Sequence, residues 1–341
     1  MEIGLDSFIA AIGSKPETRM KPEEAMSLFL DRIVQADAVG LDIFGVGEHH
    51  REEFLDSAPV VVLAAAAALT KNIRLTSAVT VLSAADPVRV FEAFATLDLI
   101  SKGRAEIVAG RGSFIEAFPL FGLDLNDYDS LYEENLGLLL ALREQPFIHW
   151  SGKHRANLTG QGVFPRPMQK QLPIWLGAGG TPASFARAGT LGLPLMIAII
   201  GGETHRFRPH VDLYREMGRR AGHPAEQLKV GIHSFGYVSE TSQAARDEFY
   251  PGYVTSMAAI SKERGWPPAT RSAFDAQCSP TGAYLIGGPN EVIEKIRRHS
   301  DALGGITRVT FQMDAGNLSQ AQILSSIDLL GTVVAPALRK S

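Results

Sequence analysis

Three short stretches bring together residue types able to do chemistry. "GVGEHHREEF" at 45–54 sets Glu48, His49 and His50 directly behind a short apolar run. Imidazoles change charge near neutral pH and can give, take or share a proton, so two of them beside a carboxylate suit acid–base work. "AGRGSF" at 109–114 offers Arg111, a planar and permanently charged fork that fits phosphate, next to Gly110. "GAGGTP" at 177–182 offers Gly177, Gly179 and Gly180, whose backbone N–H groups can approach an anion. Thr181 then stands at an N-cap position and Pro182 at the first turn of a short helix. Glycine, serine and aspartate are also ordinary turn residues, so each stretch taken alone could be a turn.

What must position them is read from the alternation of short β-rich runs with longer helical ones, the pattern of βα units around a parallel sheet. Strands are expected at 2–8, 42–46, 73–79, 105–109, 173–176, 195–199, 229–236 and 307–312. Helices are expected at 22–38, 59–70, 87–100, 131–143, 182–189, 203–220, 242–262, 289–302 and 319–330. With no linker or composition shift, one α/β unit over residues 1–341, a (β/α)8 TIM barrel with insertion loops, explains this order better than two domains. In such barrels the chemistry sits at the carboxyl ends of the strands, where all three stretches fall. Two segments, roughly 144–172 and 263–288, exceed ordinary connections and are expected to be lids or binding loops.

Composition narrows the class. The 341 residues are 45% hydrophobic and carry a formal charge of −4, with no block of like charge, so nucleic acid and anionic membrane are not expected partners. Cys278 is the single cysteine, which excludes an internal disulfide and suits a reducing cytoplasm. "MEIGLDSF" has no basic leader followed by an apolar stretch, so no signal peptide is expected. "PVVVLAAAAAL" at 59–69 is too short to span a bilayer and reads as a buried helix.

Spacing excludes several sites. Adjacent His49 and His50 of an extended segment face opposite ways, and no i, i+4 histidine pair completes a zinc site, so no metal is expected. "GAGGTP" has Pro182 where a dinucleotide turn needs its third glycine, and the region about twenty residues on lacks the ribose-binding acid. Neither a nucleophile elbow nor a Walker loop occurs.

The run "GVGEHHREEF", the stretch "VTVLSAADPVRVFEAFATLDLISKGRAEIVAGRGSFIEAFPLFG" at 79–122 and "GLPLMIAIIGGETHRFRPHVDLYREM" at 192–217 together resemble the bacterial luciferase α-subunit and the wider luciferase-like flavin-dependent monooxygenases. The resemblance spans almost the whole chain. It implies a barrel that binds reduced FMN supplied by a separate flavin reductase, traps O2 as a flavin hydroperoxide and oxygenates a small organic substrate. Within it, His49 matches the catalytic histidine, His50 its neighbour, and Arg111 an arginine near the flavin phosphate. Ser77 and Ala78 fall where the family often has a non-prolyl cis peptide under the flavin ring, and Ile199 where an apolar side chain could pack on that ring or simply fill the barrel core. The resemblance also implies a homodimer paired through helices after the first strands, with the 59–69 run as the contact, and a mobile loop over about 265–282 acting as a lid.

Departures limit the likeness. Gly110 stands where the luciferase has a reactive cysteine and Ala117 where it has an acid, which argues against light emission with a long-chain aldehyde. The phosphate segment is glycine-rich instead of acidic and hydroxylated, which shifts phosphate binding to the N–H groups of Gly179 and Gly180. A deazaflavin-dependent oxidoreductase of the same superfamily, or a non-catalytic flavin-binding relative, are the alternative readings.

Overall fold

The computed structural model describes residues 1–10, 20–112 and 114–339. Its strands are β1 (Glu2–Ser7), β2 (Ile43–Val46), β3 (Arg74–Ser77), β4 (Thr80–Val81), β5 (Ala105–Gly110), β6 (Phe147–Trp150), β7 (Leu158–Gly162), β8 (Ile174–Ala178), β9 (Leu195–Ala198), β10 (Val230–Val238), β11 (Leu285–Gly287) and β12 (Arg308–Gln312). Parallel pairing runs β12–β1–β2–β3–β5–β8–β9–β10 and returns from β10 to β12, which closes a (β/α)8 barrel. Strand parity sorts the side chains. Ile3, Leu5, Ile197 and Ile232 are buried outward under the helices. Val108, Trp175 and Met196 form a separate cluster inside the lumen.

Beside this cluster the lower lumen holds one arginine with two carboxylate partners. Arg308, 2% exposed, makes two bonds to Glu106 at 2.5 and 3.1 Å, a further one to Glu2, and stacks 3.9 Å over Trp175. A buried charge of this kind persists only when fully paired. Above this layer the small residues Gly45, Gly110, Gly177 and Ala198 take the inward positions.

The helices packed around the barrel include α1 (Pro22–Ala38), α2 (Pro59–Leu69), α3 (Pro87–Ser101), α4 (Ala117–Leu120), α5 (Tyr128–Glu144), α6 (Pro182–Thr190), α7 (Arg208–Arg220), α8 (Ser242–Arg264), α9 (Arg271–Cys278), α10 (Pro289–Leu303), α11 (Gln320–Leu329) and α12 (Ala335–Arg339). Proline opens α1, α2, α3, α6 and α10, where its missing N–H costs nothing. The expected helix over 203–220 is split into a 3-10 turn, Thr204–Phe207, and α7. The 144–172 segment contains the antiparallel β6–β7 hairpin. β11, three residues with no alternation to betray it, was missed in the sequence. Gln320–Arg339 has a mean hydropathy of 1.5 and is long and apolar enough to cross a membrane by composition. Here Ile323, Ile327, Leu330, Val334 and Leu338 on this run are buried, and α11 packs on α1.

The segment expected to be a lid is a packed part of the wall. Phe274 of α9 is 1% exposed, with ring centroids of Tyr253, Tyr250 and Tyr284 at 5.1, 5.2 and 6.0 Å. Prolines and small residues suggested a loop, but a single aromatic anchor outweighs them. Only residues 265–270 remain mostly exposed, with Trp266 46% exposed. Phe274→Ala is accordingly expected to cost about 3–5 kcal/mol, read as a shifted urea midpoint. Limited proteolysis is expected to cut first at 266–269, and a first cut inside α9 would contradict this packing.

Candidate active site at the barrel mouth

His49 lies just beyond β2, and its geometry is set by a residue that sequence reasoning missed. Asp56, fully buried, accepts the His49 backbone N–H at 3.1 Å on one oxygen and meets ring Nδ1 at 2.8 Å with the other. Burial pushes the Asp56 carboxyl up from its ordinary range, and hydrogen bonding to His49 pulls it partly back. An ionised carboxylate only accepts, so Nδ1 carries the proton and Nε2 presents a lone pair. Nε2 has no partner among the described residues and is not sealed from solvent. Phe8, Phe54 and Phe114 surround the ring at 4.5, 4.7 and 5.4 Å.

His50 turns the other way, as adjacent residues of an extended segment must. Its Nε2 sits 3.6 Å from Glu48 Oε1, and Glu48 Oε2 accepts the Val81 N–H at 2.9 Å. Glu48, opposed by burial, holds the His50 imidazole above its ordinary pKa. Glu48 therefore ties the β2 and β4 ends together, His50 Nε2 is buried without a hydrogen-bond partner among the described residues, and His49 is the imidazole open to the mouth.

A second imidazole–carboxylate pair, also missed, stands in the lumen. His233 Nδ1 of β10 lies 2.7 Å from Asp6 Oδ2 of β1, and the Thr310 hydroxyl of β12 donates to the same oxygen. The signal was present as parity: Asp6 and His233 occupy inward positions of their strands, where a polar residue is unusual. Phe8 separates the two pairs, its ring 6.3 Å from that of His233. The Phe8 N–H and the Ser7 hydroxyl both donate to Asp314, at 2.7 and 2.9 Å, which fixes the turn that carries Phe8.

On the opposite side of the mouth, Arg111 is placed beside Thr181. Its guanidinium approaches the Thr181 hydroxyl at 3.5 Å, pairs with Asp129 at 2.5 Å and lies 5.3 Å over the Tyr128 ring. Thr181 precedes α6 but makes no side-chain capping bond. A Cβ built on Gly179 would meet nothing within 4 Å, so open space lies in front of this backbone. Gly180 has φ +128°, a conformation that favours glycine.

Two expected cofactor positions, Ser77 and Ile199, turn away from the mouth. The Ser77 hydroxyl is fully buried and bonded to both the N–H and C=O of Val108, so it offers nothing to the mouth. The non-prolyl cis peptide is Ala78–Val79, one residue beyond Ser77–Ala78, and the Ala78 N–H continues the strand by donating to Val46 O at 2.7 Å. Ala78 itself faces the lumen, since a Cβ on Gly45 would come within 2.9 Å of its Cβ. Gly110 and Gly177 make room for Val79: an added Cβ would come within 2.4 and 3.1 Å of its methyl groups. Val79 thus floors the site. Ile199 is 1% exposed and belongs to the outer core with Ile197, whereas Ala198 and Ile200 carry the opposite parity.

Comparison with known proteins agrees with this architecture. The family model described as luciferase-like monooxygenase matches residues 7–305. The alkanal monooxygenase alpha chain of Aliivibrio fischeri is 25% identical over 327 residues, covering 89% of this chain and 90% of that one. Among solved structures, the monooxygenase RslO1 from Streptomyces bottropensis superposes with a TM-score of 0.86 at 21% identity, covering 98% of this chain and 99% of that one. A type II Baeyer–Villiger monooxygenase, the oxygenating constituent of 3,6-diketocamphane monooxygenase from Pseudomonas putida, in complex with FMN, gives 0.78 at 20% identity, covering 99% and 98%. An F420-dependent secondary alcohol dehydrogenase gives 0.74 at 18% identity, covering 99% of both chains. A barrel whose mouth carries an aspartate-held histidine facing a glycine-rich, arginine-flanked helix start, matched over most of its length by one family model, belongs to the luciferase-like monooxygenase family.

Proposed function

We propose that this chain is an FMN-dependent monooxygenase that takes reduced FMN from a separate flavin reductase and uses O2 to oxygenate a small organic substrate. The observation that carries the reading is the His49–Asp56 pair, an imidazole with one nitrogen fixed by a buried carboxylate and the other open to the mouth. The residues opposite fit the cofactor's phosphate: the open backbone at Gly179, the N–H groups of Gly180 and Thr181, and the Arg111 guanidinium, which also pairs with Asp129, form a donor-rich cradle at a helix start. When bound, reduced FMN supplies the electrons that activate O2. The chain's own residues do the rest: the cradle holds the phosphate, Ala78 and Val79 floor the ring site, the aromatic rings of Phe8, Phe54 and Phe114 pack around the His49 ring and fix its orientation, and His49 Nε2 accepts and returns a proton.

Fluorescence titration with FMN and riboflavin tests the cradle, since a phosphate site predicts a strong preference for FMN. Equal affinity would remove it. The likeness to an F420-dependent enzyme supports a second reading, hydride transfer with a deazaflavin in the same barrel; tighter binding of the deazaflavin than of FMN would favour it.

The proposal includes a cytoplasmic homodimer. The face of α2 turned away from the barrel carries Val61, Ala65, Ala68 and Leu69, at i, i+4, i+7 and i+8. All four are apolar and exposed, Val61 by 72%. Such a stripe of small and branched residues suits close packing of two copies across a two-fold axis. Ala65→Glu is expected to convert a dimer into a monomer by light scattering at micromolar concentration. A wild-type monomer under those conditions would contradict the pairing.

A further inference from the structure

The His233–Asp6 pair is not needed for the roles assigned so far, and its environment asks for a ligand. Three strands contribute to it: Asp6 from β1, His233 from β10 and Thr310 from β12. All three point into the lumen. A Cβ on Gly231, two residues before His233, would strike Met196, Arg308 and Trp175, and a Cβ on Gly45 would strike Asp6. Asp6 is 4% exposed and Thr310 1%, so this is a polar cluster buried where neighbouring inward positions are Gly45, Ala78, Gly177 and Ala198. Burying it is worthwhile structurally only if each polar atom is satisfied. Asp6 Oδ2 and the Thr310 hydroxyl are satisfied, whereas Asp6 Oδ1 has no partner among the described residues. His233 is satisfied at Nδ1 alone, its Nε2 having no partner among the described residues while keeping some solvent exposure.

The hydrogen-bond roles follow from the acceptor. The Asp6 carboxylate takes protons from both the imidazole and the Thr310 hydroxyl, so His233 carries its proton on Nδ1 and offers a lone pair at Nε2. A lone pair open to the lumen recognises a donor. A ketone, an aldehyde or an ether has none; a phenol, enol or alcohol does.

We propose that His233 is a substrate-contacting residue whose Nε2 accepts a hydrogen bond from a substrate hydroxyl, with Asp6 as the positioning residue that fixes its tautomer, so that the substrates taken are hydroxylated. The inference rests on the mouth being the substrate site proposed above, but not on the identity of the flavin. A site built around a hydroxyl discriminates against the analogue lacking it, because its own polar group is then left unpaired.

The test is equilibrium dialysis of the full chain with p-cresol, which is un-ionised at neutral pH, and its methyl ether p-methylanisole, with and without FMN. The wild type is expected to prefer the phenol by about tenfold or more. His233→Phe is expected to abolish the preference and Asp6→Asn to weaken it. Circular dichroism confirms that each variant is folded, and His233→Asn, which keeps a polar group but withdraws it from the lumen, replaces a phenylalanine variant that is not. Equal binding of phenol and ether by the wild type, no saturable binding of either, or a preference that survives loss of the imidazole would overturn the proposal. Failure to bind FMN with the phenol preference intact would instead count against the flavin reading alone.

Discussion

Replacing His49 with alanine is expected to lower substrate oxygenation by roughly 10²- to 10⁴-fold, the range for loss of a positioned proton-transfer group, while FMN binding is retained. The separation follows from position. His49 is held by Asp56 on the β2 side of the mouth, whereas the phosphate cradle is built by Arg111, Thr181 and Gly179 on the β5 and β8 side. Asp56→Asn should fall between wild type and His49→Ala. Asp56 receives two donors from one residue, the backbone N–H and the ring Nδ1–H, on separate oxygens. An asparagine has one acceptor oxygen and a donor amide in place of the second, so one of those bonds is lost and the tautomer is no longer fixed. Product formation per O2 consumed, compared with free peroxide, reads the effect. Unchanged turnover in His49→Ala would remove the residue from the reaction.

The second large effect is expected at Gly179. Replacement by valine introduces branched bulk where an added Cβ touches no protein atom, so the fold should be unaffected while the approach of a phosphate to the backbone is blocked. Losing one charge-assisted hydrogen bond costs roughly 1.5–3 kcal/mol, which corresponds to roughly 10- to 150-fold weaker FMN. Riboflavin, which has no phosphate to lose, should be little changed. Gly180 is the poorer choice, since its φ of +128° would strain any side chain irrespective of ligand. An FMN affinity that survives Gly179→Val would place the phosphate elsewhere.

The barrel was legible because its strands and helices repeat two strong local signals, proline at helix starts and short β-rich runs between them. The carboxyl ends of those strands then located His49, Arg111 and Thr181, and the structure brings Arg111 and Thr181 to one side of the mouth with His49 on the other. Partners distant in sequence were not legible. Asp6 and His233 are 227 residues apart and meet only when β10 and β1 flank β12, and nothing around Asp56 marks it as the carboxylate that returns to His49. Single-residue parity was the other source of error. Ile199 and Ser77 lie at strand ends beside the site, yet a shift of one residue turns a side chain from the lumen into the wall. The lid expectation failed for a different reason: composition described the exposed residues 265–270 well, but not the one phenylalanine that pins α9 to the aromatic cluster.

The most direct test of the flavin reading is to mix the protein with reduced FMN under anaerobic conditions, admit O2 and follow the absorbance. The account predicts a species distinct from both reduced and oxidised FMN that persists far longer than in free solution and is shortened in His49→Ala. Direct reappearance of oxidised FMN at the rate seen without protein would contradict it.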